Sequence, residues 1–251
     1  MVNKIKAALI IIGDEILSGR THDANLNYIA LWLGDLGIVL DEVRVIPDDG
    51  IRIQNAVNEC RSSFDYVFTT GGIGPTHDDI TAKNVAKAFD VPFLLNEEAK
   101  QLLEDNMGKG NLTEARLRMA MIPEGADLIK NPVSAAPGFQ IGNVFVMAGI
   151  PIVMQSMLLD IEDRISGGAK ITTKSIHVFE GESYFADILS EVEDHFENLT
   201  IGSYPFYKAG SYGATFVLRS VILSEVDDAL IMLGEKIINR GSEFFMGEAA
   251  L

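Results

Sequence analysis

Residues 69–81 read Thr-Thr-Gly-Gly-Ile-Gly-Pro-Thr-His-Asp-Asp-Ile-Thr, a run that suits a turn between a strand and a helix and little else. The residues before it, Tyr66-Val67-Phe68, are apolar at every position and suit a buried strand, while Val85, Ala86, Ala88 and Phe89 after it suit one face of a helix. Glycine permits positive φ and lets a ligand approach the main chain. The N–H groups of such a turn, backed by a helix N-terminus, form a seat for phosphate. Gly71, Gly72, Gly74 and Thr76 are therefore candidate ligand-binding residues. Asp78 and Asp79 stand where they would hold a hard cation against those phosphates, or work as acid or base. A plain tight turn with an aspartate helix cap explains each residue singly, but not why Gly, Pro, Thr and Asp crowd together.

The chain around this turn has the rhythm of a parallel α/β sheet. Lys6 to Ile12 is apolar throughout, as a central strand is, and ends in Gly13-Asp14-Glu15. Asp23 to Leu36 carries Leu26, Ile29, Ala30, Leu33 and Leu36 at helical spacing, and Gly37 closes it. Val39 to Ile46 is a second strand, with Val43 and Val45 on one face, ending in Pro47-Asp48-Asp49-Gly50; Ile51 to Ser62 is a helix with Ile53, Val57 and Cys60 inward. Strand ends thus deliver Asp14, Asp48, Asp78 and Asp79, and right-handed crossovers between parallel strands would bring them to one edge, where open α/β sheets bind ligands. Asp48, Asp78 and Asp79 are the candidate metal ligands; Asp14, Asp48 and Asp79 are the candidate catalytic carboxylates.

Further along, Asn96 to Met107 is expected to be helical, Gly108-Lys109-Gly110 to break it, and Leu112 to Met121 to resume it. Asn131 to Phe139 is a loop of small residues, and Ser134, Ala136, Pro137 and Gly138 in it are candidates to line a ligand. A strand over Ile141 to Met147 and a helix over Ile152 to Ile165 complete this part. Beyond a linker at Ser166 to Lys170 the pattern changes: strand 171–179, helix 183–196, strands 200–206 and 215–223 joined through Lys208 to Gly213, and helix 226–238. The expected architecture is a three-layer α/β/α domain with a mostly parallel sheet over residues 1–166 and a small α+β domain, βαββα, over 170–251.

Composition narrows the partners. A net charge of −16 argues against nucleic acid and anionic membrane surfaces, but not against a small nucleotide held by backbone amides and a metal. With one cysteine no intrachain disulfide can form, which suits a reducing cytosol. The apolar run Ala7 to Ile12 is too short for a leader, so a cytoplasmic protein is expected. His77 and Lys83 lie close enough to the turn to touch a phosphate, and a solvent-facing role suits each about equally; Trp32 reads as packing.

In these segments the chain resembles the molybdopterin-binding family, which includes molybdopterin adenylyltransferases, the matching domain of gephyrin, the N-terminal half of competence/damage-inducible protein A and a domain attached to eukaryotic FAD synthases. The resemblance is carried by Gly13 to Gly19, Asp23 with Asn25, Thr69 to Thr81, Asn131 to Phe139 and Ala148-Gly149-Ile150-Pro151, in the family's order. It implies functional roles for Asp48, which matches the aspartate of the family's Ile-Pro-Asp segment, and for Asp79 and Asp14. The second domain, with Glu182-Ser183 and Gly202-Ser203-Tyr204-Pro205, resembles the layout of competence/damage-inducible protein A and FAD synthase rather than the single-domain cofactor-synthesis enzymes. The chain departs from the family at Ser134-Ala135, where Gly-Thr is usual, and at Met147-Ala148, where Leu-Pro is usual. The resemblance implies a metal-dependent pyrophosphatase (Mg²⁺, or Mn²⁺ or Co²⁺) acting on ADP-ribose- or FAD-like substrates. Its alternatives are a molybdopterin adenylyltransferase and a non-catalytic module binding a nucleotide or pterin phosphate. It also implies a homo-oligomer.

Overall fold

The computed structural model describes residues 5–108, 110–208 and 211–247. Lys109 of the expected helix break, Ala209 and Gly210 of the expected strand connection, and the ends 1–4 and 248–251 of the two expected domains lie outside the described residues. The chain forms two compact units, divided between Gly168 and Ala169.

The first unit is built on β1 (Ile5–Ile12), whose side chains enter two cores on opposite faces of one sheet. Ala7, Leu9 and Ile11 pack on one side, Ala8, Ile10 and Ile12 on the other, which is why the strand is apolar without alternation. After β1 come a short α1 (Asp14–Leu17), α2 (Asn25–Asp35), β2 (Ile38–Ile46), α3 (Gly50–Ser63), β3 (Tyr66–Thr70) and α4 (Thr81–Ala88). Asp49 caps α3, accepting the N–H groups of Ile51 at 3.0 Å and Arg52 at 2.9 Å. β2 and β3 pair in parallel with β1 on either side, so the side on which successive strands are added switches at β1. Val43 and Val45 do share a face, and it is an exposed one, because β2 is the edge of the sheet.

The next segment departs from the sequence expectation. β4 (Phe93–Leu95), α5 (Glu97–Met107), α6 (Glu114–Leu117), β5 (Met121–Pro123), β6 (Asp127–Ile129), β7 (Gly138–Ile141), β8 (Val144–Met147) and α7 (Pro151–Ile161) follow in order. The expected helix over Leu112 to Met121 is one turn of α6 and a 3-10 turn, after which β5 pairs antiparallel with β4, Leu94 opposite Ile122. Strand pairing with a distant partner outweighs local helix preference here. Gly138 and Phe139 likewise belong to a strand rather than to the loop, since β7 turns back at Gly142 and pairs antiparallel with β8. The sheet order is β2-β1-β3-β8-β7-β6, parallel from β2 to β8.

The second unit contains β9 (Thr172–Val178), α8 (Ala186–His195), β10 (Thr200–Lys208), β11 (Ser211–Ser220), α9 (Leu223–Asn239) and β12 (Phe244–Met246). Its antiparallel sheet runs β10-β11-β9-β12, so β12 extends the expected βαββα pattern by one strand. Ile176, Val178, Phe185, Phe216, Leu218, Val226 and Leu233 form its core. Arg240 grips both oxygens of Asp187, at 2.7 and 2.6 Å, and holds that carboxyl down to about 2. The Gly202 to Pro205 group sits inside β10, where Ser203 donates to Glu182 at 2.6 Å, a structural role.

Candidate functional site

Because β1, β2, β3 and β8 are parallel, the segments that follow them share one edge of the sheet: Gly13-Asp14, Pro47-Asp48, Gly71-Gly72 and Ala148-Gly149. The Asp14 N–H donates to Asp48 Oδ2 at 3.0 Å, tying the first two together, while the Asp14 side chain stays exposed. Burial pushes the Asp48 carboxyl above the usual carboxylate range; the Asp14 N–H pulls it down, and the negative charges of Asp14, Glu15 and Asp78 push it up again. Asp48 Oδ1 lies 3.5 Å from the position a Cβ on Gly72 would take, so the carboxylate faces the glycine turn.

The turn itself is closed by Asp79. Its Oδ1 accepts the Gly74 N–H at 2.7 Å, and its Oδ2 accepts the Thr76 N–H at 2.8 Å and the Thr76 hydroxyl at 2.5 Å. The Gly74 and Thr76 amides are therefore spoken for. The Gly72 and Ile73 amides have no partner among the described residues and are left to a ligand. Asp78 is exposed beside His77, 3.9 Å away. Among the described residues no group of three His, Cys, Asp or Glu side chains could hold a metal ion, so Asp48, Asp78 and Asp79 do not form the joint cage expected from the sequence. With both Asp79 oxygens engaged in the turn and Asp48 Oδ2 taken by the Asp14 N–H, Asp48 Oδ1 is left as the acceptor that faces the turn.

Two residues outside the candidate set shape the opposite wall. Asn131, 5% exposed, donates to Ser134 Oγ at 2.6 Å and to the Ala136 carbonyl at 2.9 Å, and accepts the N–H groups of Val133 and Ser134. It thereby holds Ala135 at φ 62°, a left-handed conformation uncommon for alanine. Its signal in the sequence was an asparagine opening a small-residue loop, the place for an Asx turn. Asn25, part of a segment that carried the family resemblance, donates to the Gly149 carbonyl at 2.7 Å and fixes the segment after β8. Its Oδ1 and the hydroxyls of Thr70 and Thr81 are buried without partners among the described residues.

Two cavities meet at the glycine turn. The first, about 520 Å³, lies between Gly71–Pro75, the Asn131–Ala136 loop and Ala148–Pro151, with Glu15, Thr21 and Asp79 in its wall. The second, about 480 Å³, lies on the α4 side, with Thr76, His77, Lys83, Phe93, Arg118, Met119 and Pro137 among its lining. Gly71, Gly72, Gly74, Ser134 and Ala136 thus line the first cavity, and Thr76 and Pro137 the second. Gly138 is buried in β7 and lines neither; Asp14, Asp48 and Asp78 stand outside both linings.

A mostly parallel sheet whose carboxyl edge presents a glycine turn between two ligand-sized cavities defines a small-molecule-binding α/β protein. Residues 8–166 match the family described as a probable molybdopterin binding domain, and residues 170–242 match that of the FAD synthase middle domain. The chain belongs to the molybdopterin-binding domain family. It is 31% identical to Protein PH0439 of Pyrococcus horikoshii, across 97% of this chain and 98% of that one. It is 33% identical to a putative competence-damage inducible protein of Clostridium beijerinckii, across 93% of this chain and 58% of the relative. To a probable FAD synthase of Caenorhabditis elegans the identity is 30%, across 83% of this chain and 45% of the relative, so the chain spans about half the length of these last two. Among solved structures, the CinA protein of unknown function from Thermoplasma acidophilum superposes with a TM-score of 0.61 at 33% identity, covering 64% of this chain and 98% of that one. Among the described residues no helix is long and apolar enough to cross a membrane.

Proposed function

We propose that the protein hydrolyses the pyrophosphate bond of a nucleotide such as ADP-ribose or FAD with the help of a divalent metal. The observation that carries this reading is the placement of the partly buried Asp48 carboxylate against the turn whose Gly72 and Ile73 amides are unpartnered. A seat for phosphate and the unpaired Oδ1 of that carboxylate face one another there. The Asp48 carboxyl is raised by burial and by three negative neighbours, so the local field attracts a cation. The donors present fit an ion of the Mg²⁺ type, which takes one or two carboxylates and completes its shell with substrate phosphates and water. Asp48 would hold it, with Asp14 or Asp78 alongside; the ion would offset phosphate charge and polarise a phosphoryl oxygen.

The chain's own residues do the rest. The turn amides orient the phosphate, and the Asp14 carboxylate, exposed beside Asp48, orients a water and takes its proton. Water oxygen forms the new bond to phosphorus as the bond to the bridging oxygen breaks, and the second phosphate leaves with that oxygen. The likeness of residues 170–242 to the FAD synthase middle domain supports this reading over the single-domain transferases. The test is AMP release from ADP-ribose and from FAD with Mg²⁺, Mn²⁺ or Co²⁺ and with EDTA. Metal-dependent AMP is the expected result. Adenylate transfer from ATP only in the presence of molybdopterin would move the protein to cofactor synthesis. Binding of a nucleotide or pterin phosphate without turnover would leave a non-catalytic module.

A further inference from the structure

In the second unit α8 and α9 pack on one side of the sheet, against Ile176, Val178, Ala214, Phe216 and Leu218. The strand register puts Tyr204, Thr215, His177 and Phe245 in one row across the other side. Phe206 and Gly213 form the next pair along, and Phe179 follows the end of β9 beside them. The Phe179 ring stands edge-on to Phe206 at 6.1 Å and to Phe245 at 5.5 Å, so three rings join β10 to β12. Gly213 makes room for them: a Cβ there would lie 2.6 Å from the Phe206 ring. Phe179, Tyr204 and Phe245 are nonetheless 53%, 43% and 52% exposed. The polar groups of this face already have partners. His177 Nδ1 lies 2.8 Å from Thr215 Oγ1 and its Nε2 3.1 Å from the Gly247 carbonyl, Ser175 donates to that carbonyl at 2.6 Å, and Arg219 donates to the Tyr204 hydroxyl at 3.3 Å. Covering the face would therefore leave few polar atoms unpaired. The face also lacks carboxylates: among the described residues, none of the positions that the register places on this side is Asp or Glu, in a chain that has 36 of them and a net charge of −16.

We propose that two copies of the chain meet through this face, stacked sheet on sheet about a two-fold axis. The occupant follows from charge. Two copies of so acidic a chain repel wherever carboxylates are opposed, and this face opposes none. A polar or acidic segment would find a single guanidinium there, already turned to Tyr204, and otherwise aromatic rings. A second copy brings the same rings, and a two-fold contact lays one Phe179, Phe206 and Phe245 cluster against the other, with the sheets about 10 Å apart. The sheet is four strands wide and β9 is seven residues long. At about 4.8 Å per strand and about 3.4 Å per residue the footprint is roughly 19 by 24 Å. That is a small interface, which places the affinity in the micromolar range. The proposal stands independently of the pyrophosphatase reading, since every residue in it belongs to the second unit.

The test is sedimentation equilibrium of the full chain, joined to oxidative footprinting of the wild type. From about 1 to about 200 µM the mass should climb from the 27.4 kDa of one chain toward twice that. Raising NaCl from about 0.05 to about 0.5 M should tighten the association, because salt screens the repulsion between copies. The double variant Phe179→Glu, Phe245→Glu sets carboxylates against carboxylates across the contact and should weaken it at least about a hundredfold. Leu31→Glu with Leu159→Glu is the control, on α2 and α7 of the first unit, where these side chains are 64% and 66% exposed; it should leave the dissociation constant within about twofold. Footprinting needs no variant, so it decides even where the glutamates unfold the second unit. At the higher concentration Phe179, Tyr204 and Phe245 should be protected, while Tyr207 and Tyr212, exposed on the other side of β10 and β11, should oxidise as before. A single 27.4 kDa species at every concentration would overturn the proposal. So would an association that the Phe179 and Phe245 substitutions leave intact, or one that forms without protecting Phe179, Tyr204 and Phe245.

Discussion

Gly71→Ala should destabilise the first unit by about 3 kcal/mol or more, because a positive φ and a backbone clash add at one position. Gly71 has φ 101°, and an added Cβ would lie 2.1 Å from the Ile12 carbonyl oxygen. That oxygen belongs to the end of β1, where Ile12 pairs with Ile46, and cannot retreat without disturbing the central strand. Gly71 is itself held by its N–H, which donates to the Met147 carbonyl at 3.2 Å. Strain at positive φ costs roughly 1–2 kcal/mol, and a backbone clash adds overpacking of about 1–3 kcal/mol. Gly19→Ala is the control: φ is 71° there, but nothing lies within 4 Å of the added methyl, so only the conformational cost remains. Trp32, the single tryptophan, packs edge-on against Phe68 at 6.0 Å in the first unit, so its fluorescence in urea follows that unit alone. Similar midpoints for the two variants would show that the turn relaxes away from β1.

What could be read from the sequence follows from where information is local. The uniform apolarity of Ala7 to Ile12 could only mean a strand buried on both faces, and the family resemblance agreed with the parallel sheet that such a strand implies. The turn after Thr70 announced itself because positive φ demands glycine. Pairing partners are not local, and there the sequence misled. Met121 looks like the end of a helix and Pro123 like the turn after it until β4 is alongside, and Gly138-Phe139 look like loop until β8 is. Carboxylate roles failed in the same way. Asp14, Asp48, Asp78 and Asp79 are equivalent as letters. Only the fold shows that Asp48 turns inward, that Asp79 is consumed by the turn's own amides, and that Asp14 and Asp78 face solvent. Arg118 carried no signal at all, because its cavity exists only once the chain after α6 folds back against α4.

The difference between Asp48 and Asp79 leads to the second large effect. Asp48→Asn should lower metal-dependent turnover on the order of 10²–10³-fold while nucleotide affinity in EDTA stays within about threefold. The amide keeps an acceptor for the Asp14 N–H and removes only the charge. Asp79→Asn should cost affinity as well as turnover: one of its carboxylate oxygens becomes an NH₂ that cannot accept, so either the Gly74 N–H or the Thr76 N–H loses its acceptor and the turn loosens. Stability should separate them too. The Asp48 carboxyl is raised in the folded protein, so the native state binds its proton more tightly than the unfolded chain does. That contribution is present below the ordinary carboxylate value and is lost as pH climbs through the folded one; at neutral pH in EDTA the ionised Asp48 is a net cost. Asp48→Asn removes the cost, so in the absence of metal it should melt no lower than wild type at pH 7, and its advantage should shrink as the pH is lowered toward 4. Asp79→Asn should melt lower at both. An Asp48→Asn protein that melts well below wild type at pH 7 in EDTA would assign Asp48 to the scaffold, and its loss of turnover would then say nothing about the chemistry.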